Sequence, residues 1–330
     1  MLNMELNLDN DFFENPKMGS LRDGFGKALL DLAREYQDIV AVCADLAEST
    51  RMHWFKEEFE DRFFEVGITE QHMAAFASGL ASMGKRPFIS SYAMFSPGRN
   101  WEQIRTTICY NNQPVVIVGS HAGVSVGKDG GTHQALEDIA ITRVIPNLAV
   151  FAPADENEAY LATKEAYKMN KPVYIRLARE KTELISTQES NLSIFDAQIL
   201  FEAENPKLTI FATGTSVPQA LRASFLLEQK GLPVRMLKVS SIKPLDEETI
   251  LNSVLDTRLA LSVENHQASA GFGSRLAELF SENYPIKMKI MGVKDSFGQS
   301  GDPDELLEFY KLDAASIADE AEKIIKQNSI

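Results

Sequence analysis

The chain has 330 residues, of which 44% are hydrophobic and 24% are charged, and its formal net charge is −14. A domain usually has about 100–200 residues, so this length predicts two domains, each with a core of its own. The negative charge repels nucleic-acid backbones and anionic membranes, which argues against both as partners. Any anionic substrate is expected to need a local cluster of cations.

The N-terminal segment 1–17 is acidic and rich in amides, without a basic flank followed by an apolar run. This composition predicts neither a signal nor a transit peptide, but a mobile arm or a contact with a partner. The most apolar stretches, such as Pro114–Val118, have the length of a strand, so no membrane span is expected. Cys43 and Cys109 lie in apolar segments without metal-ligand spacing, which predicts buried, reduced thiols in a cytoplasmic protein and no metal site.

Residues 18–185 predict an α/β domain. Apolar positions recur at helical spacing in Leu21–Tyr36, and the apolar segment Ile39–Ala44 that follows has the character of a strand. The alternation continues to Val173–Arg176, and strands that are apolar on both faces are typical of a mostly parallel sheet covered by helices. The other predicted strands are Phe63–Val66, Pro87–Ser91, Val115–Ser120 and Leu148–Phe151, and the helices are Glu70–Met83, Arg99–Tyr110 and Glu156–Met169.

The periodicity stops near Glu180–Ala197, where polar residues accumulate, and residues 186–197 are therefore predicted to be a linker. Residues 198–330 predict a second α/β domain, so that the chain would hold two mostly parallel, three-layer α/β/α domains. Its predicted strands are Leu208–Ala212, Pro233–Val239, Leu259–Val263 and Lys287–Val293. Its predicted helices are Ser216–Gln229, Glu247–Val254, Gly273–Asn283 and two more that begin at Pro303 and Asp313.

Two segments that follow predicted strands carry the residues suited to chemistry, at the sheet edge where ligands of open α/β sheets bind. Gly67–Met73 (GITEQHM) places Glu70 in the first turn of a helix, a position that the helix dipole alone favours for an acid. His121–Gln134 (HAGVSVGKDGGTHQ) is a glycine-rich loop with two histidines and an aspartate. These three side chains could bind a hydroxylated substrate, hold a metal or merely satisfy hydrogen bonds of the loop.

The pairing of Gly67–Met73 with Gly127–Gln134 resembles the pyrimidine-binding domain of transketolases, and the resemblance continues through Pro146–Leu148 and Ala152–Glu158. Residues 207–325 resemble the C-terminal domain of that family. The resemblance implies the C-terminal subunit of a split transketolase. Such an enzyme uses thiamine diphosphate to transfer a two-carbon ketol group from a ketose phosphate to an aldose phosphate, a reaction of the pentose phosphate pathway.

The resemblance also implies roles at the cofactor. Glu70 would hydrogen-bond N1′ of the aminopyrimidine ring and so favour its activating imino form, for which the carboxyl should lie in a dry, apolar setting. Tyr92 and Phe95 would be aromatic walls of the ring, and Trp101 is the candidate to replace a third aromatic that is absent at Gly98. Asp45 matches a position near the thiazolium ring.

For the substrate, the resemblance implies a phosphate site at four positions. Asp129 would contact a sugar hydroxyl, and His133 would hydrogen-bond the oxygen at the reacting carbon. The phosphate-binding positions are matched by Arg22, Ser49, His121 and Arg179.

The family anchors the cofactor's diphosphate through Mg²⁺ or Ca²⁺, held by a Gly-Asp-Gly segment and a later asparagine on a separate domain. This sequence has no Gly-Asp-Gly segment. The resemblance therefore implies a partner, the N-terminal transketolase subunit, which would carry the diphosphate-binding domain and the metal. This chain would be inactive alone and would assemble as an α2β2 heterotetramer or a homodimer of this subunit.

Three alternatives remain at this point. The β subunit of a 2-oxo-acid dehydrogenase has less need of the four phosphate-binding residues, and a 1-deoxyxylulose-5-phosphate synthase lacks a histidine at the position of His121. A non-catalytic homologue that binds a partner is the third. His266 has no assigned role, and we expect it to serve loop structure.

Overall fold

The computed structural model of the protein describes residues 1–328. The strands of the first half are β1 (Met18–Gly19), β2 (Ile39–Cys43), β3 (Phe63–Glu65), β4 (Arg86–Tyr92), β5 (Val116–Ser120), β6 (Ala149–Phe151), β7 (Val173–Arg176) and β8 (Thr182–Glu183). Its helices are α1 (Leu21–Glu35), α2 (Met52–Glu58), α3 (Glu70–Ser82), α4 (Trp101–Gln103), α5 (Asp138–Arg143) and α6 (Glu156–Lys168).

In the second half the strands are β9 (Gln198–Glu202), β10 (Thr209–Ala212), β11 (Arg235–Lys238), β12 (Ser241–Lys243), β13 (Leu259–Gln267) and β14 (Lys287–Val293). The helices are α7 (Ser216–Gln229), α8 (Glu247–Asn252), α9 (Phe272–Asn283), α10 (Pro303–Phe309) and α11 (Ala314–Asn328). Residues 329 and 330, the last two of the predicted second domain, lie outside the described part of the chain.

Two parallel-rich sheets organise these elements. The first has seven strands in the order β12-β6-β7-β5-β4-β2-β3, and the second has five in the order β14-β13-β10-β11-β9. Only β12 and β9 run antiparallel to their neighbours in these two sheets. The prediction of two mostly parallel α/β domains is thereby confirmed.

Helices cover both faces of the seven-stranded sheet. On one face, Phe25 of α1 packs in a buried cluster with Val118 of β5. On the other, Met73 of α3 packs in a second cluster with Ile117, the neighbour of Val118 on the same strand. Adjacent strand residues point to opposite faces, so both must be apolar where helices lie on each side. This three-layer packing brings the carboxyl ends of β2, β4 and β5 to one edge.

Strand β12 joins the two halves of the chain, because this segment of the second half pairs with β6 of the first sheet. Its three residues, followed directly by Pro244, show no strand periodicity, so the sequence did not predict it. The predicted helix Arg99–Tyr110 also differs, since α4 continues into a π-helical turn over Ile104–Cys109. There the hydroxyls of Thr106 and Thr107 donate to carbonyls four residues back, which competes with regular helical hydrogen bonding.

The N-terminal segment lies on the second domain instead of projecting as a free arm. Leu2 pairs with Phe201 of β9, and the side chain of Phe12 is fully buried. Arg222 of α7 donates to the carbonyl of Phe12 at 3.0 Å. These contacts contradict the expectation of a mobile arm for residues 1–17.

The two cysteines are free and buried, as the sequence predicts. Burial raises the pKa of each thiol, that of Cys43 and that of Cys109, to about 12. Within residues 1–328, no helix is both long enough and apolar enough to cross a bilayer.

Candidate active site

Glu70 begins α3 at the carboxyl end of β3, and its side chain is only 2% exposed. Met73 and Ala74, one turn along the same helix, are fully buried and make its surroundings apolar. The carboxylate is not alone, since Arg99 donates to Glu70 Oε2 at 2.6 Å from a half-exposed position. The sequence did not indicate Arg99 as a site residue, because an arginine at a helix start has the pattern of an ordinary surface charge.

A row of rings leads away from this ion pair. The Arg99 guanidinium lies 4.8 Å from the ring centroid of Phe95. The ring of Phe95 is stacked with Tyr92 at 6.0 Å, and Tyr92 is stacked in turn on His121 at 3.7 Å. The predicted aromatic pair therefore connects the Glu70 region with the glycine-rich loop.

Trp101 is not a member of this row. Its indole nitrogen donates to the carbonyl of Ile141 at 2.6 Å, and its ring packs against the hydrophobic core. The idea that Trp101 replaces the aromatic absent at Gly98 has no support from these contacts.

The far end of the row meets two arginines. Arg22 donates to the carbonyl of Ser49 at 2.8 Å and to that of Arg179 at 2.7 Å. The hydroxyl of Tyr92 donates to Ser49 Oγ at 3.3 Å. The structure thus brings together Arg22, Ser49, Arg179 and His121, four residues that are far apart in the sequence.

The charges at this end are unevenly compensated. Arg22 bonds to neutral carbonyls, whereas Arg179 also pairs with Glu180 at 3.2 Å. Burial lowers the pKa of Arg22, and the neighbouring Arg51 lowers it further. Arg51, a third cation that sequence analysis did not identify, pairs with Asp23 at 2.6 Å. Its position before a short helix gave no sign of this role.

His121 is buried beside these cations. Burial lowers its pKa to about 2, and the charges of Arg22 and Arg179 lower it further in the same direction. The imidazole is therefore neutral near pH 7, and it shares a hydrogen bond of 2.7 Å with Ser120 Oγ. In this cluster His121 offers a hydrogen bond and not a positive charge.

The three remaining predicted site residues differ in how far they are exposed. His133 is half-buried, with its ring 5.6 Å from that of Phe95, and it hydrogen-bonds Thr132 Oγ1 at 2.9 Å. Asp129 lies on the exposed part of the same loop. Asp45 is exposed as well, and it lines an open cavity of about 710 Å³ together with Ser49 and four glutamates. Within the described residues, neither aspartate hydrogen-bonds another predicted site residue.

A buried polar cluster supports the sheet behind the site. Asp138 Oδ2 accepts from Arg176 Nε at 2.8 Å and from the Tyr174 hydroxyl at 2.7 Å. His266 lies nearby in β13, not in a loop as expected, and its Nε2 accepts a 3.4 Å hydrogen bond from the backbone of Ala140. Burial lowers the pKa of His266 to about 4, so this histidine is neutral too.

Comparison with known families decides the relationship. The model of the transketolase pyrimidine-binding domain matches residues 17–183, and that of the transketolase C-terminal domain matches residues 197–317. The chain belongs to the transketolase family. Glu70, the ring row and the arginines all lie within the part that matches the pyrimidine-binding domain.

Transketolase relatives match the chain over different shares of their length. A putative transketolase C-terminal section from Methanocaldococcus jannaschii is 42% identical over 90% of this chain and 94% of that protein. A 1-deoxy-D-xylulose-5-phosphate synthase from Syntrophus aciditrophicus is 36% identical over 92% of this chain but 47% of that protein. A solved structure described as a split gene transketolase, inactive β4 tetramer, has a TM-score of 0.86 and 38% identity, covering 93% of this chain and 99% of that one.

Proposed function

We propose that the protein is the C-terminal subunit of a two-chain transketolase, which transfers a two-carbon ketol group from a ketose phosphate to an aldose phosphate. One observation carries the proposal. The stacked rings of Phe95, Tyr92 and His121 connect a buried carboxyl, Glu70, with the cluster of Arg22 and Arg179. A catalytic end and an anion-binding end thus belong to one continuous site.

The cofactor end fits a flat heterocycle that hydrogen-bonds a carboxyl group and stacks on an aromatic ring. The Arg99 guanidinium, itself planar and a donor, contacts the two groups that an aminopyrimidine would need, the Glu70 carboxylate and the Phe95 ring. When bound, thiamine diphosphate would supply the electron sink for breaking and making the carbon–carbon bond. Glu70 would share a proton with N1′ of its ring.

Arg99 would have to leave Glu70 for that purpose. Its guanidinium occupies Glu70 Oε2, so it and a ring nitrogen would compete for the same carboxyl group. The half-exposed position of Arg99 gives it room to turn into solvent. Arg99 would therefore hold the place of the ring until the cofactor binds.

The anion end fits a sugar phosphate. Arg22 is bound by neutral carbonyls, so its positive charge is available for charge-assisted hydrogen bonds to a phosphate dianion. The neutral His121 and the Ser49 hydroxyl would add hydrogen bonds without charge. Phosphate binding remote from the reacting carbons would align them with His133, and would so turn binding energy into rate. Asp129 would contact a sugar hydroxyl, and Asp45 would lie towards the thiazolium ring.

The diphosphate and its Mg²⁺ would be held by an N-terminal subunit. Among residues 1–328, no cluster of three or more His, Cys, Asp or Glu side chains could hold a metal ion. The related chain described as an inactive β4 tetramer supports the expectation that this chain alone is inactive and associates with itself. An α2β2 assembly would supply the N-terminal subunit and would also keep the association of this chain with itself. The two free, buried thiols are consistent with a cytoplasmic location.

Reconstitution tests the proposal. The purified chain is mixed with the N-terminal subunit, thiamine diphosphate and Mg²⁺, and ketol transfer between sugar phosphates is assayed. We expect transfer in the complete mixture and none when either chain is omitted. Absence of transfer in the complete mixture would contradict the proposal.

The second candidate is 1-deoxy-D-xylulose-5-phosphate synthesis, favoured by the 36% identity to such a synthase. The match to only 47% of that enzyme, against 94% of the C-terminal section from M. jannaschii, favours the two-chain transketolase. Assaying the same mixture for 1-deoxy-D-xylulose 5-phosphate separates the two activities.

A further inference from the structure

The glycine-rich loop, residues 121–134, turns at three glycines. Gly123, Gly127 and Gly130 adopt φ values of +86°, +82° and +74°, a region in which glycine is free and most residues are strained. Its internal backbone hydrogen bonds are short-range ones, those of a 3-10 turn over Val124–Asp129 and bonds such as that from Gly130 N to the Gly127 carbonyl at 3.1 Å. Since fixing glycine backbone is entropically costly, the conformation needs contacts from outside.

The first domain supplies one such contact, since Arg179 donates to the Val126 carbonyl at 2.7 Å, and the second domain supplies several. Asn265 of β13 accepts a 2.9 Å hydrogen bond from Val124 N, at the start of the loop. Further along, the Ser300 hydroxyl donates to the Lys128 carbonyl at 2.7 Å. The loop is therefore fixed from two separate segments of the second domain.

Gln134 fastens the end of the loop. Its buried amide donates to the Val124 carbonyl at 2.9 Å and to the Gln299 carbonyl at 3.0 Å. One side chain thus ties the end of the loop both to its beginning and to the second domain. Asp129 and His133 lie between Lys128 and Gln134, the two residues held in this way.

The segment Gly298–Ser300, which we call the clamp, packs backbone to backbone against the loop. A Cβ atom on Gly131 would lie 2.5 Å from the Gly298 carbonyl oxygen. A Cβ atom on Gly298 would overlap the Gln134 amide oxygen. The two segments therefore fit together only because both positions are glycine, and a shift of the clamp must move the loop.

We propose that the second domain sets the geometry of the substrate loop, with Ser300 and Gln134 as positioning residues for His133 and Asp129. This inference rests on the proposed function, and it gives the C-terminal domain a part in substrate alignment. Displacing a substrate-binding group by about 1 Å can cost as much as a hundred-fold in rate, even when the change lies far from the chemistry.

Two variants test the proposal, with Gln299→Ala as the matched control because Gln299 contacts the loop through its carbonyl and not its side chain. Ser300→Ala removes one hydrogen bond, and Gly298→Ala introduces the overlap with Gln134. Hydrogen exchange is measured on the purified full chain for a peptide spanning 124–134. The KM for ribose 5-phosphate and the Kd for thiamine diphosphate are measured in the assembled enzyme.

For Ser300→Ala we expect faster exchange in 124–134 and a KM raised roughly five-fold, the usual worth of one hydrogen bond. Gly298→Ala should have the larger effect on the exchange rate and on the KM. Ser300→Thr, which keeps the hydroxyl, should leave both near their wild-type values. The Kd for thiamine diphosphate should change far less than the KM in all of them, since Glu70, Tyr92 and Phe95, which would hold its ring, lie outside the loop.

Exchange no faster than in Gln299→Ala, or faster exchange with an unchanged KM, would overturn the proposal. Hydrogen exchange does not depend on catalysis. Failure of the proposal that the second domain positions the loop can therefore be distinguished from failure of the proposed function. If the wild-type mixture transferred no ketol group, the proposed function would fail. The exchange rates alone would then decide whether the clamp holds the loop in place.

Discussion

The two ends of the site are prepared in different ways. At the cofactor end, the buried carboxylate of Glu70 is neutralised by an ion pair with Arg99. At the phosphate end, Arg22 is bound by two carbonyl oxygens, and its charge is left available. Under the proposed function, Arg99 would be a substitute for the cofactor ring at one end, whereas the other end would already be arranged to receive an anion.

The difference follows from what burial demands of each charge. A buried carboxylate without a partner costs several kcal/mol, so Glu70 needs a cation whenever no ring is present. Arg22 donates to neutral carbonyls from its two terminal nitrogens and keeps its charge, while its buried Nε has no hydrogen-bond partner among the described residues. We infer that cofactor binding requires a rearrangement in this chain, whereas phosphate binding requires little.

The largest expected effect is at Glu70. Glu70→Gln keeps the shape of the side chain but cannot share its proton with the cofactor, so kcat of the assembled enzyme should fall by roughly 10²–10⁴-fold. Steady-state kinetics measures the change. Glu282→Gln, an exposed acid on α9, is the control and should leave kcat unchanged. Full activity in Glu70→Gln would refute the catalytic role.

Arg179→Ala tests the phosphate end. Loss of a charge-assisted hydrogen bond should lower kcat/KM for phosphorylated substrates by about 10–100-fold, and non-phosphorylated analogues should be affected far less. Arg34→Ala, which removes a surface arginine paired with Glu58, is the control. Equal losses for both kinds of substrate would show that Arg179 does not select phosphate.

The neutrality of His121 makes stability depend on pH. Its pKa is about 2 in the folded protein, against an ordinary value of 6.5, so the unfolded chain takes up a proton that the folded chain refuses. The contribution of His121 to the free energy of unfolding is present above pH 6.5 and is lost as the pH falls towards 2. At pH 5 the loss should reach about 2 kcal/mol.

His121→Gln should reduce that loss, as measured by urea unfolding at pH 7 and pH 5. The exposed His72 provides the control, and His72→Gln should leave the difference between the two pH values as in the wild type. An equal difference for wild type and His121→Gln would mean that His121 is protonated in the folded protein.

The smallest effect is expected at Arg99. If this arginine holds the place of the ring, Arg99→Gln should tighten binding of thiamine diphosphate to the assembled enzyme by up to about five-fold. The glutamine amide can still donate a hydrogen bond to Glu70, so only the charge of a half-exposed partner is lost, which is worth at most about 1 kcal/mol. Titration calorimetry measures the Kd. Arg105→Gln, an exposed arginine six residues on, is the control. Weaker binding in Arg99→Gln would show that Arg99 contacts the cofactor.

Local pattern carries much of the fold and part of the site. The periodicity of apolar residues predicted β7 and α7 with their bounds, because these elements are long or apolar enough to show a period. It did not predict β12, whose three residues become a strand only by pairing with β6. The alternation of strand and helix depends on local sequence, whereas the addition of a strand from the second half of the chain to the first sheet does not.

The same distinction holds at the site. Glu70, Tyr92 and His121 stand in segments with recognisable motifs and could be nominated from the sequence. Arg99 and Ser300 could not, because their roles depend on partners 29 and 172 residues away along the chain. An arginine and a serine in polar surroundings carry no sign of such partners.

The most direct test compares wild type and Glu70→Gln in the reconstituted two-chain mixture with thiamine diphosphate and Mg²⁺. We predict ketol transfer by the wild-type mixture, none by this chain alone, and a loss of at least about a hundred-fold with Glu70→Gln. Transfer catalysed by this chain without the N-terminal subunit, or a Glu70→Gln mixture as active as wild type, would contradict the account.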